Sequence, residues 1–393
     1  MQAVIYCGGF GTRLGKITQS LPKPLIKING KPFLWYLIKN LKRYGINNII
    51  FLSYYHNKKI IKFIKELKYL NIKLNVITEP EASGTAGSLF LAKKYLKKEF
   101  FLLNGDTYFN FNILELKKKL YENKKKLIIA ALTKNKDKRF LNLPVSQKYV
   151  SKDKKINYVN GGYYYVSKKI ISKIDNCFSL ENEVFPKLIK EKQMSCLPFV
   201  SKKNYFIDIG VPKDLKRSGS FLKKILNKKA VFLDRDGVIN YDLGYVYEIK
   251  NFRWRPKIVK FIKYLNDNDF YVIIVSNQSG IGRGYYSEKD VFKLHEWVNK
   301  KLNILGAHID EFKIAPYFKD SKKYSSDYNF FLRKPNPGMI LEVFNKWNIF
   351  PNKSVLIGDQ FSDMMVAKNA NLRHSFNVKK ISINRIIKHK FFK

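Results

Sequence analysis

The sequence predicts an α/β protein of two domains, each built on a sheet whose strand ends carry the chemistry. Three observations lead there. At 393 residues the chain exceeds what a single core usually holds. Short apolar runs alternate with longer stretches of helical periodicity, the pattern of strands connected by helices. Two of those runs, residues 3–6 and 230–233, each lead into a chemically distinctive loop: CGGFGTRL after the first, DRDGVIN after the second. Ligands of open α/β sheets bind at such strand ends.

The first loop, residues 7–24, reads CGGFGTRLGKITQSLPKP. Gly8, Gly9 and Gly11 permit backbone conformations that other residues resist, and let amide N–H groups approach an anion. Arg13 and Lys23 add two cations, while Pro22 and Pro24 hold the chain around Lys23 extended. The design suits a nucleoside triphosphate attacked at its α-phosphate. GGxG alone could be a plain turn, but the continuation into PKPL and then GKP at residues 30–32 makes the pattern specific.

The periodicity of Phe33, Leu34, Leu37, Ile38 and Leu41 predicts a helix over 32–44, followed by a strand at 48–53, a helix at 58–69 and a strand at 74–77. The small-residue turn at 79–87 then opens a helix over 88–95; its Glu79, Gly84 and Thr85 form a wall for base and ribose. A strand at 100–103 ends at Asp106, placed to bind Mg²⁺ with phosphate oxygens. After a strand at 127–132, residues 133–157 are poorly patterned. Residues 159–166, VNGGYYYV, form a strand whose glycines allow a ligand to come close, Glu181 opens a helix, and 206–211 carry a second strand-end carboxylate, Asp208. The basic run at 213–229 reads as a solvated linker helix.

The net charge is +44, with lysines dispersed along the chain. Charge of that size raises nucleic-acid binding. Dispersion, together with abundant Asn, Ile, Phe and Tyr, points instead to A/T-rich codons, and phosphorylated substrates tolerate the field. Three separated cysteines, Cys7, Cys177 and Cys196, predict a reduced cytoplasmic protein. No apolar run approaches the roughly 20 residues of a membrane span, and a chain that enters a strand at once leaves no room for a signal peptide.

Residues 1–222 resemble the sugar-1-phosphate nucleotidylyltransferases through GGFGTRL, PKPL, GKP, GTAG, LNGD, VNGGYYYV and YFIDIGVP. NGDTYF, SLENE and YFIDIGVP are most similar to the heptose-1-phosphate guanylyltransferase branch. The resemblance implies a Rossmann-like fold with a mixed sheet, and in-line attack of a sugar phosphate on the nucleotide with loss of pyrophosphate. Gly8, Gly9, Gly11 and Thr12 would bind the nucleotide, Arg13 and Lys23 would neutralise phosphates, and Asp106 and Asp208 would share Mg²⁺. Asn160, Gly161 and Glu181 would hold the sugar. Relatives carry a Glu-Lys pair before the VNGG strand; here that region is rewritten, leaving Lys152 as its stand-in.

In the second loop, Asp234 and Asp236 are spaced i, i+2 at a strand end and suit covalent phosphoryl transfer, one as nucleophile and the other as acid and base. Ser276, Lys334, Asp359 and Asp363 follow at later strand ends. This order resembles the haloacid dehalogenase-like phosphatases, and DRDGVIN, SNQSGIGRG, RKPNPGM and IGDQFSDM are similar to the group acting on heptose 1,7-bisphosphate and histidinol phosphate. The resemblance implies a capless doubly wound parallel sheet over 230–373, after a linker at 223–229. Ser276, Asn277, Arg283, Arg333 and Lys334 would bind substrate; Asp234, Asp236 (through its carbonyl) and Asp359 would bind Mg²⁺, supported by Asp363. Members that hold zinc do so with Cys and His where this chain has Ala315, Tyr317, Phe330 and Leu332, so aromatic packing is expected there and no zinc. His295 and His308 read as ordinary packing residues, and 374–393 as a basic tail without a role.

Taken together, the two resemblances imply a bifunctional enzyme that frees the 7-phosphate of a heptose 1,7-bisphosphate and joins a nucleotide, GTP by expectation, to heptose 1-phosphate. The rivals are another sugar 1-phosphate with a histidinol-type phosphatase, and a basic nucleic-acid-binding protein. Small-molecule substrates, no nucleic acid and no membrane are expected; the oligomeric state is left open.

Overall fold

The computed structural model describes residues 1–134, 143 and 158–392. They form two compact units, Met1–Lys223 and Lys224–Lys393.

The first unit is built around β1 (Gln2–Tyr6), whose Ala3, Val4 and Ile5 are fully buried. It lies parallel between β2 (Asn48–Ser53) and β4 (Glu99–Asn104), and β3 (Lys73–Thr78) extends the sheet beyond β2. On the other side lie β6 (Ile128–Lys134), β7 (Tyr158–Ser167) and β8 (Met194–Pro198), giving the order β8-β6-β7-β4-β1-β2-β3. β7 runs antiparallel to both β4 and β6, so the seven-stranded sheet is mixed, as expected. A separate antiparallel pair, β5 (Thr107–Phe109) with β9 (Phe206–Asp208), sets Thr107 opposite Asp208. That pairing brings two carboxylates distant in sequence, Asp106 and Asp208, to one place.

Two expectations change here. The helix expected at 88–95 begins earlier, at Gly84, and runs Gly84–Leu91. Gly84 has φ +68°, and a Cβ on it would lie 2.1 Å from the Phe178 carbonyl oxygen; Ala86 N–H donates to that same oxygen at 3.0 Å. The small residues thus admit a crossing segment as well as lining a cleft. The basic helix Pro212–Leu226 is not simply a solvated linker. Its Ser218 and Leu222 are buried, and Asn29 Nδ2 donates to the Gly219 carbonyl at 2.8 Å.

The second unit holds a five-stranded all-parallel sheet made of β10 (Ala230–Leu233), β11 (Tyr271–Asn277), β12 (Glu311–Ala315), β13 (Ser354–Gly358) and β14 (His374–Asn377). Their order is β12-β11-β10-β13-β14. Side-chain alternation along the strands divides the core. Val231, Leu233, Val272, Ile274, Val355 and Ile357 pack on the helices Ile258–Asp267 and Glu288–Ile304. Ala230, Phe232, Ile273, Val275 and Leu356 pack on Gly338–Trp347 and Phe361–Asn369. The sheet is doubly wound, as the sequence predicts.

Residues 374–392 are not a tail without structure. β14 pairs in parallel with β13, and Ile386, Phe391 and Phe392 are buried in the first of these two core faces. The pattern was hidden because its apolar residues are interleaved with lysines and histidines and fall at no single period. Phe392 is 1% exposed and packs on Phe261, Phe270 and Phe376. Phe392→Ala is expected to destabilise this unit by about 3 kcal/mol, the cost of an aromatic deletion in a core. Urea denaturation followed by circular dichroism checks it; an unchanged midpoint would return the segment to the surface.

Candidate active sites

The first site opens where β1 ends and the chain turns through Cys7–Phe10, a cavity of about 410 Å³. Of the residues singled out by sequence, Gly8, Gly9, Lys23, Glu79, Gly84, Thr85, Asp106 and Glu181 all line it. Gly8 is required by close approach: a Cβ there would lie 2.9 Å from Glu79 Oε1. Burial pushes the Glu79 carboxyl up from its ordinary value, against the weak hydrogen bond it accepts from Ser83 N–H at 3.4 Å. A chain of hydrogen bonds fixes the opposite wall. Tyr6 OH donates to the Thr85 carbonyl at 2.6 Å, Thr85 Oγ1 donates to Glu181 Oε2 at 2.8 Å, and Leu180 N–H donates to Thr85 Oγ1 at 2.8 Å.

On the cavity floor Lys23 Nζ lies 2.6 Å from Asp106 Oδ2, both side chains largely buried. Thr107 Oγ1 donates to Asp208 Oδ2 at 3.1 Å and lies 3.4 Å from Asp106 Oδ1, bridging the two carboxylates. Burial, and next the charge on Asp106, push the Asp208 carboxyl up to about 6, against the Gly210 N–H, Lys23 and Thr107. Two acid groups crowded under one cation form a donor set that fits a divalent oxygen-loving ion.

Other candidates lie elsewhere. Gly11, at φ +68°, precedes a short turn over Thr12–Leu14, and Arg13 is exposed with no ion pair among the described residues. Asn160 turns inward, donating to Tyr164 OH at 2.5 Å and accepting from Gly162 N–H at 3.0 Å. Gly161 is needed for packing, since a Cβ would meet the Phe109 ring at 2.8 Å. None of these lines the cavity. Lys152 lies outside the described residues. Sequence reasoning missed Tyr6, Phe10, Tyr54, Asn104 and Phe178, which do line it. Tyr54 and Asn104 sit at the C-terminal ends of β2 and β4, so the strand-end rule applied to Asp106 reaches them too. Phe10 meets Tyr54 edge-on with centroids 5.8 Å apart.

The second site is a cavity of about 300 Å³ at the C-terminal ends of β10, β11 and β13, lined by Asp234, Asp236, Ser276, Asn277, Lys334 and Asp359 among the candidates. At its centre, buried Lys334 Nζ lies 2.8 Å from Asp234 Oδ1 and 2.6 Å from Asp363 Oδ1. Burial opposes the charge on Lys334, but Asp234 and Asp363 outweigh it and raise its pKa. Burial pushes Asp234 up to about 7, opposed by Lys334 and reinforced by Asp363 and Asp236. Asp363 Oδ2 accepts from the backbone N–H groups of Asp359 and Gln360 at 3.1 and 3.0 Å, which fixes it as a support. Asn277 clamps Lys334, exchanging hydrogen bonds with its backbone N–H and carbonyl at 2.9 and 3.1 Å.

Asp236 is aimed by its neighbours. It accepts from the Arg235 guanidinium at 2.9 Å, from Asn240 Nδ2 at 2.8 Å and from Gln278 Nε2 at 3.1 Å. Gln278 also donates to Ser276 Oγ at 2.8 Å and accepts from Tyr286 OH at 2.9 Å. Gln278, Tyr286 and the buried Arg235 were not among the sequence candidates, although Arg235 and Gln278 lie within the quoted motifs. The carboxylates of Asp234, Asp359 and Asp363 offer oxygens within 4.8 Å of one another. Asp359 Oδ1 is buried and has no hydrogen-bond partner among the described residues. An orphaned anionic oxygen in such a cluster fits a divalent cation.

Arg283 and Arg333 do not line this cavity. Arg283 stacks over Phe318 at 4.0 Å, and Arg333 Nη1 donates to the Tyr317 carbonyl at 3.3 Å. At the former zinc-type positions Tyr317 packs on Phe330 with centroids 5.1 Å apart, while Ala315 and Leu332 are buried, the apolar filling expected of those side chains. His295, stacked on Phe312 at 4.2 Å, has its pKa depressed by burial and then by Arg235. His308 lies 3.2 Å from Asp310.

One centre thus sets a glycine loop and a lysine over paired carboxylates, and the other a nucleophile-type aspartate beside a buried lysine. Both are phosphate-handling sites, of the classes that transfer nucleotidyl groups and hydrolyse phosphate esters. The nucleotidyl transferase family model matches residues 2–224, and the polynucleotide kinase 3 phosphatase model matches residues 238–390. The chain is 35% identical to D-glycero-alpha-D-manno-heptose 1-phosphate guanylyltransferase of Campylobacter jejuni, over 54% of this chain and 96% of that protein. It is 42% identical to D-glycero-beta-D-manno-heptose-1,7-bisphosphate 7-phosphatase of Rhodopseudomonas palustris, over 37% of this chain and 81% of that protein. The crystal structure of HddC from Yersinia pseudotuberculosis complexed with GMP-PN matches at 31% identity, 56% of this chain, 99% of that chain and a TM-score of 0.47. The chain belongs to the nucleotidyl transferase family through its first unit and to the family of these sugar-bisphosphate phosphatases through its second. Among the described residues no helix is long and apolar enough to cross a membrane.

Gly237 tests the second geometry. It has φ +85°, and a Cβ on it would lie 2.6 Å from the Asp359 carboxyl. Gly237→Ala is expected to lower phosphatase kcat about 100-fold, the scale of an ångström-level misplacement, with the nucleotidyl transfer rate of the same preparation unchanged. An unaltered kcat would mean that Asp359 does not need this position.

Proposed function

We propose that this chain performs two consecutive steps of nucleotide-activated heptose synthesis in the cytoplasm, for a surface polysaccharide such as lipopolysaccharide. The second unit removes the 7-phosphate of D-glycero-D-manno-heptose 1,7-bisphosphate, and the first joins the resulting heptose 1-phosphate to GMP from GTP. The observation that carries the reading is the pairing, in one chain, of an Asp234–Lys334–Asp363 phosphatase centre with a glycine-loop cavity lined by Lys23 and Asp106, to which Thr107 joins Asp208. The product of one reaction is the substrate of the other. The guanylyltransferase relative acts, by its name, on the α-anomer, and the phosphatase relatives are named for either anomer. The two steps connect only through the α-anomer, which is therefore the assigned substrate.

In the phosphatase, Oδ1 of Asp234 accepts from Lys334 and from the Arg235 N–H, while Oδ2 accepts no hydrogen bond among the described residues. Oδ2 is the oxygen free to attack phosphorus. As the bond to the sugar oxygen breaks, Asp236 gives that oxygen a proton. Asp236 then takes a proton from water, which attacks the aspartyl phosphate and releases phosphate. Ser276 donates to a phosphoryl oxygen, and Lys334 offsets the charge. In the transferase, the sugar phosphate oxygen attacks the α-phosphorus in line and pyrophosphate leaves. The Gly8–Gly9 backbone and Lys23 neutralise the triphosphate, Glu79 and Thr85 face the nucleoside, and Glu181 accepts from the sugar hydroxyls. Asp106 and Asp208 would hold one Mg²⁺, and Asp234, Asp359 and the Asp236 carbonyl another; the bound ion supplies charge neutralisation at phosphorus. The substrates are small molecules, and the dispersed charge serves no nucleic acid.

The test is an assay with Mg²⁺, each anomer of heptose 1,7-bisphosphate and GTP or ATP, following phosphate and pyrophosphate separately. Both products with the α-anomer and GTP are expected. Phosphate without pyrophosphate would overturn the transferase assignment, and neither product would overturn the heptose. Asp234→Asn is expected to lower phosphate release at least 1,000-fold (about 4 kcal/mol of barrier) while pyrophosphate release from supplied heptose 1-phosphate persists. Loss of both activities in a folded variant would refute two independent centres.

A further inference from the structure

A third cavity, of about 280 Å³, opens in the second unit between the turn at Arg255–Lys257 and the segment from Val378 to Asn384. It shares no lining residue with the phosphatase cavity, yet Gly237 forms part of its wall while the same residue abuts Asp359. An occupant would sit one backbone thickness from the catalytic carboxylates without touching them.

The lining is chemically divided. Arg255 and Lys257 are cationic, and neither forms an ion pair among the described residues; no carboxylate lines the cavity. Arg255 is held in place over the Tyr241 ring, 4.9 Å from its centroid. Lys257 is held at φ +65°, a backbone conformation that side-chain-bearing residues rarely adopt. Two cations lining one cavity, with no carboxylate in its lining, suit a dianion. The rest of the lining includes the apolar Val238, Val378 and Ile383, together with Ser382 and Asn384, which carry a hydroxyl and an amide. That combination suits a carbon skeleton bearing hydroxyl groups, in a volume close to that of the catalytic cavity.

We propose that this cavity is a second, non-catalytic site for a phosphorylated sugar, with the phosphate on Arg255 and Lys257 and the sugar against Val238, Val378 and Ile383. It is independent of which heptose the active sites use.

Lysine acetylation of the full chain, read peptide by peptide by mass spectrometry, tests it with D-mannose 1-phosphate as the probe. The sugar phosphate is expected to slow labelling of Lys257 at least threefold, with Lys301 as the unprotected reference and free mannose without effect. Arg255→Gln should abolish the protection while leaving the melting temperature and phosphatase kcat unchanged; should that variant not fold, Ser382→Ala and Asn384→Ala, elsewhere in the lining, should weaken protection severalfold. Labelling of Lys257 that ignores the sugar phosphate would overturn the site. Equal protection by inorganic phosphate at the same concentration would overturn its assignment to a sugar.

Discussion

Both centres depend on one electrostatic constraint: carboxylates gathered at strand ends and withdrawn from water must be balanced by cations brought there by the fold. Lys334 between Asp234 and Asp363 is the stronger case, all three groups being buried. Removing one member of such a set leaves an uncompensated buried charge, at about 3–5 kcal/mol. The backbone of Lys334 is in turn clamped by Asn277 at the end of β11, and Asp363 is clamped by backbone amides after β13. Three parallel strands and the loop holding Lys334 therefore have to be in register before the charges balance. Packing on both faces of the sheet supplies that register, and the ionic set makes other registers costly.

The first unit solves the same problem with less burial. The chain around Lys23, expected to be extended, instead turns tightly over Lys23–Leu25 because Leu25 N–H donates to the Pro22 carbonyl; from that turn Lys23 meets Asp106 at the end of β4. The β5–β9 pair carries Asp208 in from 102 residues later in the chain. One lysine does not balance two carboxylates: burial, and next the charge on Asp106, raise the Asp208 carboxyl against Lys23. The residual negative charge is what a divalent ion would neutralise, so a surplus unwelcome in a purely structural core is the useful feature of this one.

Much of this was legible in sequence because strand ends are marked twice, by an apolar run and by the residue that follows it. Asp106, Asp208, Asp234, Ser276 and Asp359 were found that way, and each lies at the predicted end. Asn160 and Gly161 do not line the first cavity: the space beside Gly161 is taken by Phe109, and Asn160 is bonded to Tyr164 and Gly162. Arg13, Arg283 and Arg333 were chosen as cations near motifs, but a long side chain can leave its backbone's neighbourhood, and theirs do not line the cavities. Gln278 and Arg235 escaped notice because their work is to aim Asp236, and nothing in composition or period marks a residue that acts through another.

The charge of the whole chain belongs to the same account. Seventy-five lysines and arginines against thirty-one aspartates and glutamates set a positive field around two centres made of carboxylates. Phosphorylated substrates are drawn by the first and repelled by the second, and the repulsion is greatest where the reacting phosphorus must sit. Lys23 and Lys334, placed within 3 Å of those carboxylates, cancel it locally, where a distant surface lysine is screened over about 8–10 Å of solvent. A composition biased toward lysine can therefore arise without functional demand and still be compatible with two phosphate sites. What chemistry requires of the charge is met by cations in fixed positions, Lys23 on Asp106, Lys334 on Asp234, Arg235 on Asp236 and Lys379 on Asp359, and the dispersed surface cations shape the approach.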